Sequence, residues 1–298
     1  MEHADKNTDL FPIAVLRSIP TIGRKSTFDI WQQLRGRELS WQVVAGNLAR
    51  FVRNGVIDKK QKTAINNEYT EQEKKLRSAF AHLRDVRLVG FSDDEYPPLL
   101  RHSDSAPAFL YARGPIIDWK DAMVVAVVGA RNMTEYGKMV TEKISHELAE
   151  AGVIVVSGLM YGVDTTAHFA ALEVHGQTAA VLGYGFNHCY PEEHRKELGR
   201  FLQLGGTMYT EYAPWIPPIA GQFPARNTIV AGMSEGIVVT EAAEESGTMI
   251  TVQAGIDNGR HIFAVPGPID NPYTAGTRQL INEGATLIAS GADVIFEL

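Results

Sequence analysis

Two patterns of hydrophobic positions divide the chain. From residue 8 to about residue 80, apolar side chains recur three and four positions apart, as in Trp31, Leu34, Trp41, Val44, Leu48, Phe51 and Val52. That is the spacing of one helix face, and it predicts several short helices joined by tight turns. From about residue 120 the pattern alternates. Residues 123–128 form an unbroken apolar run closed by Gly129, which predicts a strand buried on both faces. A helix with Val140, Ile144 and Leu148 on one face follows and stops at Gly152. Residues 153–156 repeat the strand pattern and end in Ser157 and Gly158. The same beat predicts helices near 165–175, 192–204, 227–233 and 248–258, each followed by a strand, at 179–183, 207–210, 236–240 and 261–265. Strands alternating with amphipathic helices predict an α/β doubly wound, mostly parallel sheet, here preceded by a small all-helical region. No Pro- or Ser-rich linker separates the two regions, so they are expected to pack together.

Composition narrows the class. The 298 residues are 45% hydrophobic and 21% charged, which excludes a disordered, collagen-like or disulfide-scaffold protein. The single cysteine, Cys189, allows no intrachain disulfide and argues against a cysteine-based metal site. The first residues carry no apolar stretch of the secretory kind, and the longest apolar run, around 123–130, is too short to span a bilayer. A cytoplasmic protein without membrane contact is expected. Charge is uneven: residues 1–120 hold 19 Lys and Arg against 15 Asp and Glu, while residues 121–298 hold 9 against 20, a balance of +4 and −11 within the total of −7. Nucleic-acid backbones are held largely by Lys and Arg. A nucleic-acid binder of this composition must use a few focused basic residues or its N-terminal part.

Ligands of doubly wound sheets bind beyond the carboxyl ends of the strands, and small and polar residues collect there. Gly129-Ala130-Arg131-Asn132 follows the first alternating strand and offers backbone N–H groups with a forked phosphate donor, although Arg131 taken alone reads more readily as a surface salt-bridge partner. Ser157-Gly158 leads to Gly162-Val163-Asp164, with His168 one turn on; this pair reads as a helix cap and a buried polar pair rather than a catalytic dyad. Gly183-Tyr184-Gly185 and Tyr190-Pro191 keep a third strand end open, and Tyr184 or Tyr190 is available to stack on a base, although aromatic residues at strand ends more often pack. Arg226 and Asn227 open the next helix after Phe223-Pro224, and Asn227 reads equally as a cap. Ser246-Gly247-Thr248 reads either as an anion nest or as a hydroxyl-rich cap. Val265-Pro266-Gly267 is the sixth such turn. Their joint placement predicts one phosphate-binding groove. No Gly-rich loop is followed by lysine and no G-x-G-x-x-G opens the first helix, which argues against ATP hydrolysis and NAD chemistry.

In order and spacing these segments resemble the DNA-processing protein A family (DprA, also called Smf). Tyr96-Pro97-Pro98-Leu99-Leu100, Leu110-Tyr111-Ala112-Arg113-Gly114 and Gly276 with Leu280-Ile281 and Gly284-Ala285 extend the likeness over roughly residues 85–298. The resemblance implies an extended Rossmann-like domain over 85–298 and a sterile-alpha-motif-like helical domain over 1–84. The winged-helix domain of many members is expected to be absent. Members bind single-stranded DNA, form homodimers, help load the RecA recombinase during natural transformation, and are not known as enzymes; no cofactor and no metal is expected. The site residues implied for DNA phosphate are Gly129, Arg131, Asn132, Ser157, Gly158, Gly183, Arg226, Asn227, Ser246, Gly247 and Thr248. In the helical domain, residues 19–25 look like a helix-hairpin-helix turn, in which Gly23, Arg24 and Lys25 would meet a phosphate; packing of Ile19 and Ile22 explains the same residues.

The chain also departs from the family pattern. Glu192 and Glu193 stand where a basic residue usually follows Tyr-Pro, with Arg195 and Lys196 one turn further as partial compensation. The Phe-Pro-Arg-Arg-Asn-Arg run reads Phe223-Pro224-Ala225-Arg226-Asn227-Thr228. A second function class therefore stays open: a nucleotide sensor or nucleotide-processing protein of the related lysine-decarboxylase-like group, in a phage-defence or other setting. Hydrolysis of that type needs a glutamate after the Gly-Thr pair, where this chain has Met249-Ile250-Thr251.

Overall fold

The computed structural model describes residues 10–83 and 85–298. Four helices come first: α1 (Phe11–Arg17), α2 (Arg24–Leu34), α3 (Trp41–Arg53) and α4 (Lys59–His82). Two of them start at side-chain caps. Ser40 accepts from the Val43 N–H at 3.3 Å, and Asp58 and Gln61 cap each other's backbone N–H groups at 2.7 and 2.9 Å, closing the first turn of α4.

Strands β1 (Val86–Gly90) and β2 (Phe109–Arg113) follow, and then the alternating part: β3 (Val124–Val128), α5 (Glu135–Glu150), β4 (Ile154–Ser157), α6 (Val163–Glu173), β5 (Thr178–Val181), α7 (Arg195–Gln203), β6 (Thr207–Thr210), α8 (Gln222–Met233), β7 (Gly236–Val239), α9 (Thr248–Asp257), β8 (His261–Ala264), α10 (Ala275–Asn282), β9 (Thr286–Leu287) and α11 (Gly291–Glu297). One sheet holds the strands in the order β1-β2-β6-β5-β4-β3-β7-β8-β9. From β6 to β9 neighbours run parallel, and β1 and β2 close the other edge antiparallel. The fold class is the expected one, a mostly parallel doubly wound sheet behind a helical region. The pattern missed β1 and β2 because no amphipathic helix joins them, only a short 3-10 turn at Leu99–His102. The helix expected from residue 192 begins at Arg195, after a 3-10 turn at Glu192–His194.

The helical region does not stand apart. Trp31, Leu34, Val44, Leu48 and Phe51 join Phe109, Tyr111, Leu182 and Phe201 in one buried cluster on a face of the sheet. A polar knot ties the same junction. Arg24, at the start of α2, donates through Nε to Glu211 at 3.0 Å and pairs its Nη2 with the other carboxylate oxygen. It also donates to the Ser105 carbonyl (3.0 Å), the Thr228 hydroxyl (2.9 Å) and the Ala225 carbonyl (2.8 Å). Arg17 reaches the same Glu211 at 3.1 Å. Burial alone would push the Glu211 carboxyl up, but the two guanidinium groups outweigh it and hold the pKa down at about 2.

Candidate nucleic-acid interface

A groove of about 670 Å³ opens at the carboxyl ends of the strands. It lies over β4, β3 and β7, where the strand order changes direction, the position at which open α/β sheets bind ligands. Gly129, Arg131, Asn132, Gly158, Arg226, Asn227, Ser246, Gly247 and Thr248 all line it. Ser157 and Gly183 do not. The Ser157 hydroxyl is buried and donates to the Val127 carbonyl at 2.7 Å. Gly183 lies behind the wall: a Cβ there would come within 3.1 Å of the Phe223 ring, and Phe223 itself lines the groove.

The two groove arginines differ. Arg131 is exposed and makes no hydrogen bond or ion pair with a described residue. It sits on a loop that is held from below. The Glu241 carboxylate, buried after β7, accepts from the Thr134 N–H at 2.8 Å and the Thr134 hydroxyl at 2.6 Å, and the Glu241 carbonyl accepts from the Ala130 N–H at 2.7 Å. Arg226 is only 3% exposed. Its Nη1 donates to the Val181 carbonyl at 2.9 Å, while Nε has no partner. Burial pushes its pKa down, and the nearby Asp164 carboxyl works against that shift. Asp164 mirrors it, pushed up by burial and pulled down by Arg226. A Cβ at Gly158 would collide with the Arg226 guanidinium, so the small residue at the end of β4 gives the arginine its place.

Several expectations change. The hydroxyls of the Ser246–Thr248 turn are spent internally: Ser246 donates to the Thr248 hydroxyl at 3.0 Å, which donates to the Gly129 carbonyl at 3.1 Å. They brace the Arg131 loop rather than stand open to an anion. Asn227 reaches the Gly247 carbonyl at 3.5 Å, joining α8 to that turn. Asp164 and His168 are not a pair. His168 meets the Thr178 hydroxyl at 2.6 Å and packs edge-on against Phe201, and burial drives its pKa down to about 3. Tyr184 is no stacking platform, because its ring is buried and its hydroxyl donates to the Tyr190 carbonyl at 3.2 Å. Tyr190, by contrast, lines the groove at 37% exposure, with the Phe223 ring 5.2 Å away. The aromatic role of Phe223 escaped sequence reasoning, although its Phe-Pro step marked the place.

Outside the groove, Arg195 is bonded to Glu192 at 2.9 Å, so the two charges offset each other and Arg195 leaves no surplus cation there. Glu193 accepts from the Tyr161 hydroxyl at 3.3 Å. At the hairpin-like turn, Gly23 is exposed and precedes α2, and Lys25 pairs with Asp29 at 3.0 Å. Arg24 is turned inward onto Glu211 and α8, so it is not the free surface donor that the turn suggested. Among the described residues, no group of His, Cys, Asp and Glu could hold a metal ion and no helix is long and apolar enough to cross a membrane.

Residues 87–298 match the family model described as DNA recombination-mediator protein A. The chain belongs to the DNA recombination-mediator protein A family. This bears out the resemblance read from the strand-end motifs. Among relatives, the DNA processing protein DprA of Bacillus subtilis is 34% identical over 243 residues, covering 81% of this chain and 82% of that protein. The X-ray structure of DNA processing protein A from Streptococcus pneumoniae is similar with a TM-score of 0.80 and 30% identity, over 97% of both chains. A structure of DNA processing protein A from Helicobacter pylori, described for its single-stranded DNA binding mode, aligns with a TM-score of 0.61 and 28% identity over 67% of this chain and 91% of that one. Arg131 and Arg226 both lie within the matched span.

Proposed function

We propose that this family member binds single-stranded DNA in the strand-end groove, protects it, and assists loading of the RecA recombinase, acting in the cytoplasm as a homodimer and as a binder rather than a catalyst. The observation that carries the reading is Arg131, an exposed guanidinium without an internal partner at the mouth of a groove whose floor holds a second arginine. In a region of net charge −11, a cation with no internal partner serves a ligand anion. Arg226 acts from below, its Nε unspent, and Tyr190 beside Phe223 supplies a face on which a base stacks. The Helicobacter pylori relative, described for single-stranded DNA binding, supports the same assignment. Ser157 and Gly183 support the groove from behind, and the Ser246–Thr248 turn with Asn227 holds its rim. His168 and Asp164 are separately buried, which favours binding over catalysis. The exposed Leu287 and Phe296 near the C-terminal edge of the sheet suit a contact between two copies.

The test is a salt titration of oligonucleotide affinity, followed by assembly of RecA filaments on DNA coated with a single-strand-binding protein. Binding that weakens with salt, together with faster filament assembly, is expected. A folded protein with no affinity for single strands at low salt refutes the reading, and competition by mononucleotides at equal affinity transfers the groove to a small nucleotide ligand.

A further inference from the structure

The helical region carries a second concentration of charge that the groove does not use. Arg35 follows α2, Arg50 and Arg53 occupy the last turn of α3, and Lys59, Lys60 and Lys62 lie in the first turns of α4. None of these six forms an ion pair with a described residue. Several exposed helix cations elsewhere are matched one turn away, as in Lys75 with Glu71, Arg77 with Glu73, Lys138 with Glu142 and Lys143 with Glu147, while Lys74, Lys196, Arg200 and Arg278, likewise outside any ion pair with a described residue, are dispersed along the chain rather than gathered in a cluster. The acids nearest the six in sequence are Asp29, which pairs with Lys25; Asp58, whose side chain caps α4; and Glu38.

Hydrogen bonds tie the elements that carry the six to α2. Arg50 and Asn54 reach Gln33 near the carboxyl end of α2. Gln61 donates to the Thr21 carbonyl just before the start of α2. The segment from Arg53 to Lys62 therefore runs beside α2 from one end to the other, and the 11 residues of α2 span about 16 Å at about 1.5 Å each. The start of α2 abuts the groove helix, because Arg24 bonds Ala225 and Thr228 of α8, and Phe223, Arg226 and Asn227 of that helix line the groove. Lys25, 88% exposed at its side chain, stands where the two meet.

We propose that this basic track carries the phosphate backbone of the bound strand onward from the groove across the helical region. The inference rests on single-strand binding in the groove. Unpaired cations in sequence on three elements suit a polyanion, whose affinity comes from releasing the counterions it holds.

The test uses the full chain and oligothymidylates of increasing length. In the wild type, affinity rises beyond the length that fills the groove, and the salt dependence steepens with it. The charge-reversed variant Arg53→Glu/Lys59→Glu/Lys60→Glu is expected to bind the shortest oligomer as the wild type does, to lose the gain with length, and to show a log–log salt slope shallower by about 2, at about 0.7 for each of three contacts. The neutral variant Arg53→Gln/Lys59→Gln/Lys60→Gln gives the same change without added repulsion. Unchanged length dependence in both variants overturns the proposal and leaves the track to an acidic protein partner. Equal loss at every length also overturns it, because the charges would then act only as a general field. Absence of wild-type binding at any length sinks the groove reading as well, so the two failures are distinct.

Discussion

Substituting the two groove arginines separates a ligand contact from a structural one. Arg131 is exposed and has no internal partner, so Arg131→Ala removes nothing from the folded protein, and stability should stay within about 0.5 kcal/mol of the wild type. A charge-assisted hydrogen bond is worth about 1.5–3 kcal/mol, which converts to a roughly 10- to 150-fold loss of affinity. One lost phosphate contact also makes the log–log salt slope shallower by about 0.7 on a single strand. Arg226→Ala behaves differently. It strips the Val181 carbonyl of its donor in a site only 3% exposed, which alone costs about 1–3 kcal/mol of stability, and it leaves Asp164 without its opposing charge. The assay is fluorescence anisotropy of a labelled oligonucleotide at several salt concentrations, with denaturant unfolding of each variant in parallel. Wild-type affinity in Arg131→Ala refutes the reasoning. So does a loss of affinity accompanied by a loss of stability as large as that of Arg226→Ala.

Tyr190→Ala should weaken single-strand binding by about 1–3 kcal/mol for one stacked base with the salt slope unchanged, whereas Tyr184→Phe, which keeps the buried ring and removes only the hydroxyl bonded to the Tyr190 carbonyl, should cost less; equal effects in anisotropy would contradict the assignment. Glu211→Gln leaves Arg17 and Arg24 facing no carboxylate, at a cost of about 3–5 kcal/mol. Because the folded pKa of Glu211 is depressed to about 2 from an ordinary 4.5, its contribution is full above pH 4.5 and is lost as pH falls from there through 2. Unfolding curves of wild type and variant should therefore differ most near neutrality and converge in acid, and a gap constant down to pH 2.5 would rule the pairing out.

The parallel layer was legible because strands covered on both faces must be apolar throughout, as residues 124–128 are, and because each is followed by a helix of distinct period. β1 and β2 lack that beat, and two residues of β9 carry no period at all. The groove's position was legible for a related reason: its small residues sit at the ends of readable strands. Which way each polar side chain turns was not. Arg24, Arg131 and Arg226 look alike in a string of letters, and the partner that takes Arg24 inward, Glu211, lies 187 positions away. Phosphate donor and internal tie are decided by such distant neighbours. The same holds for His168, whose partner Thr178 belongs to the next strand rather than to its own helix.

The contact between Arg24 and Thr228 makes the residue tolerated at one position depend on the other. The hydroxyl of Thr228 fits against a guanidinium that Glu211 and two carbonyls already hold. An arginine at 228, as the family's run leads one to expect, would set one cation on another at the same spot. Thr228→Arg should therefore destabilise the protein, and neutralising Arg24 in the same chain should relieve part of the loss. Homologues sorted by residue 228 should divide accordingly at residue 24.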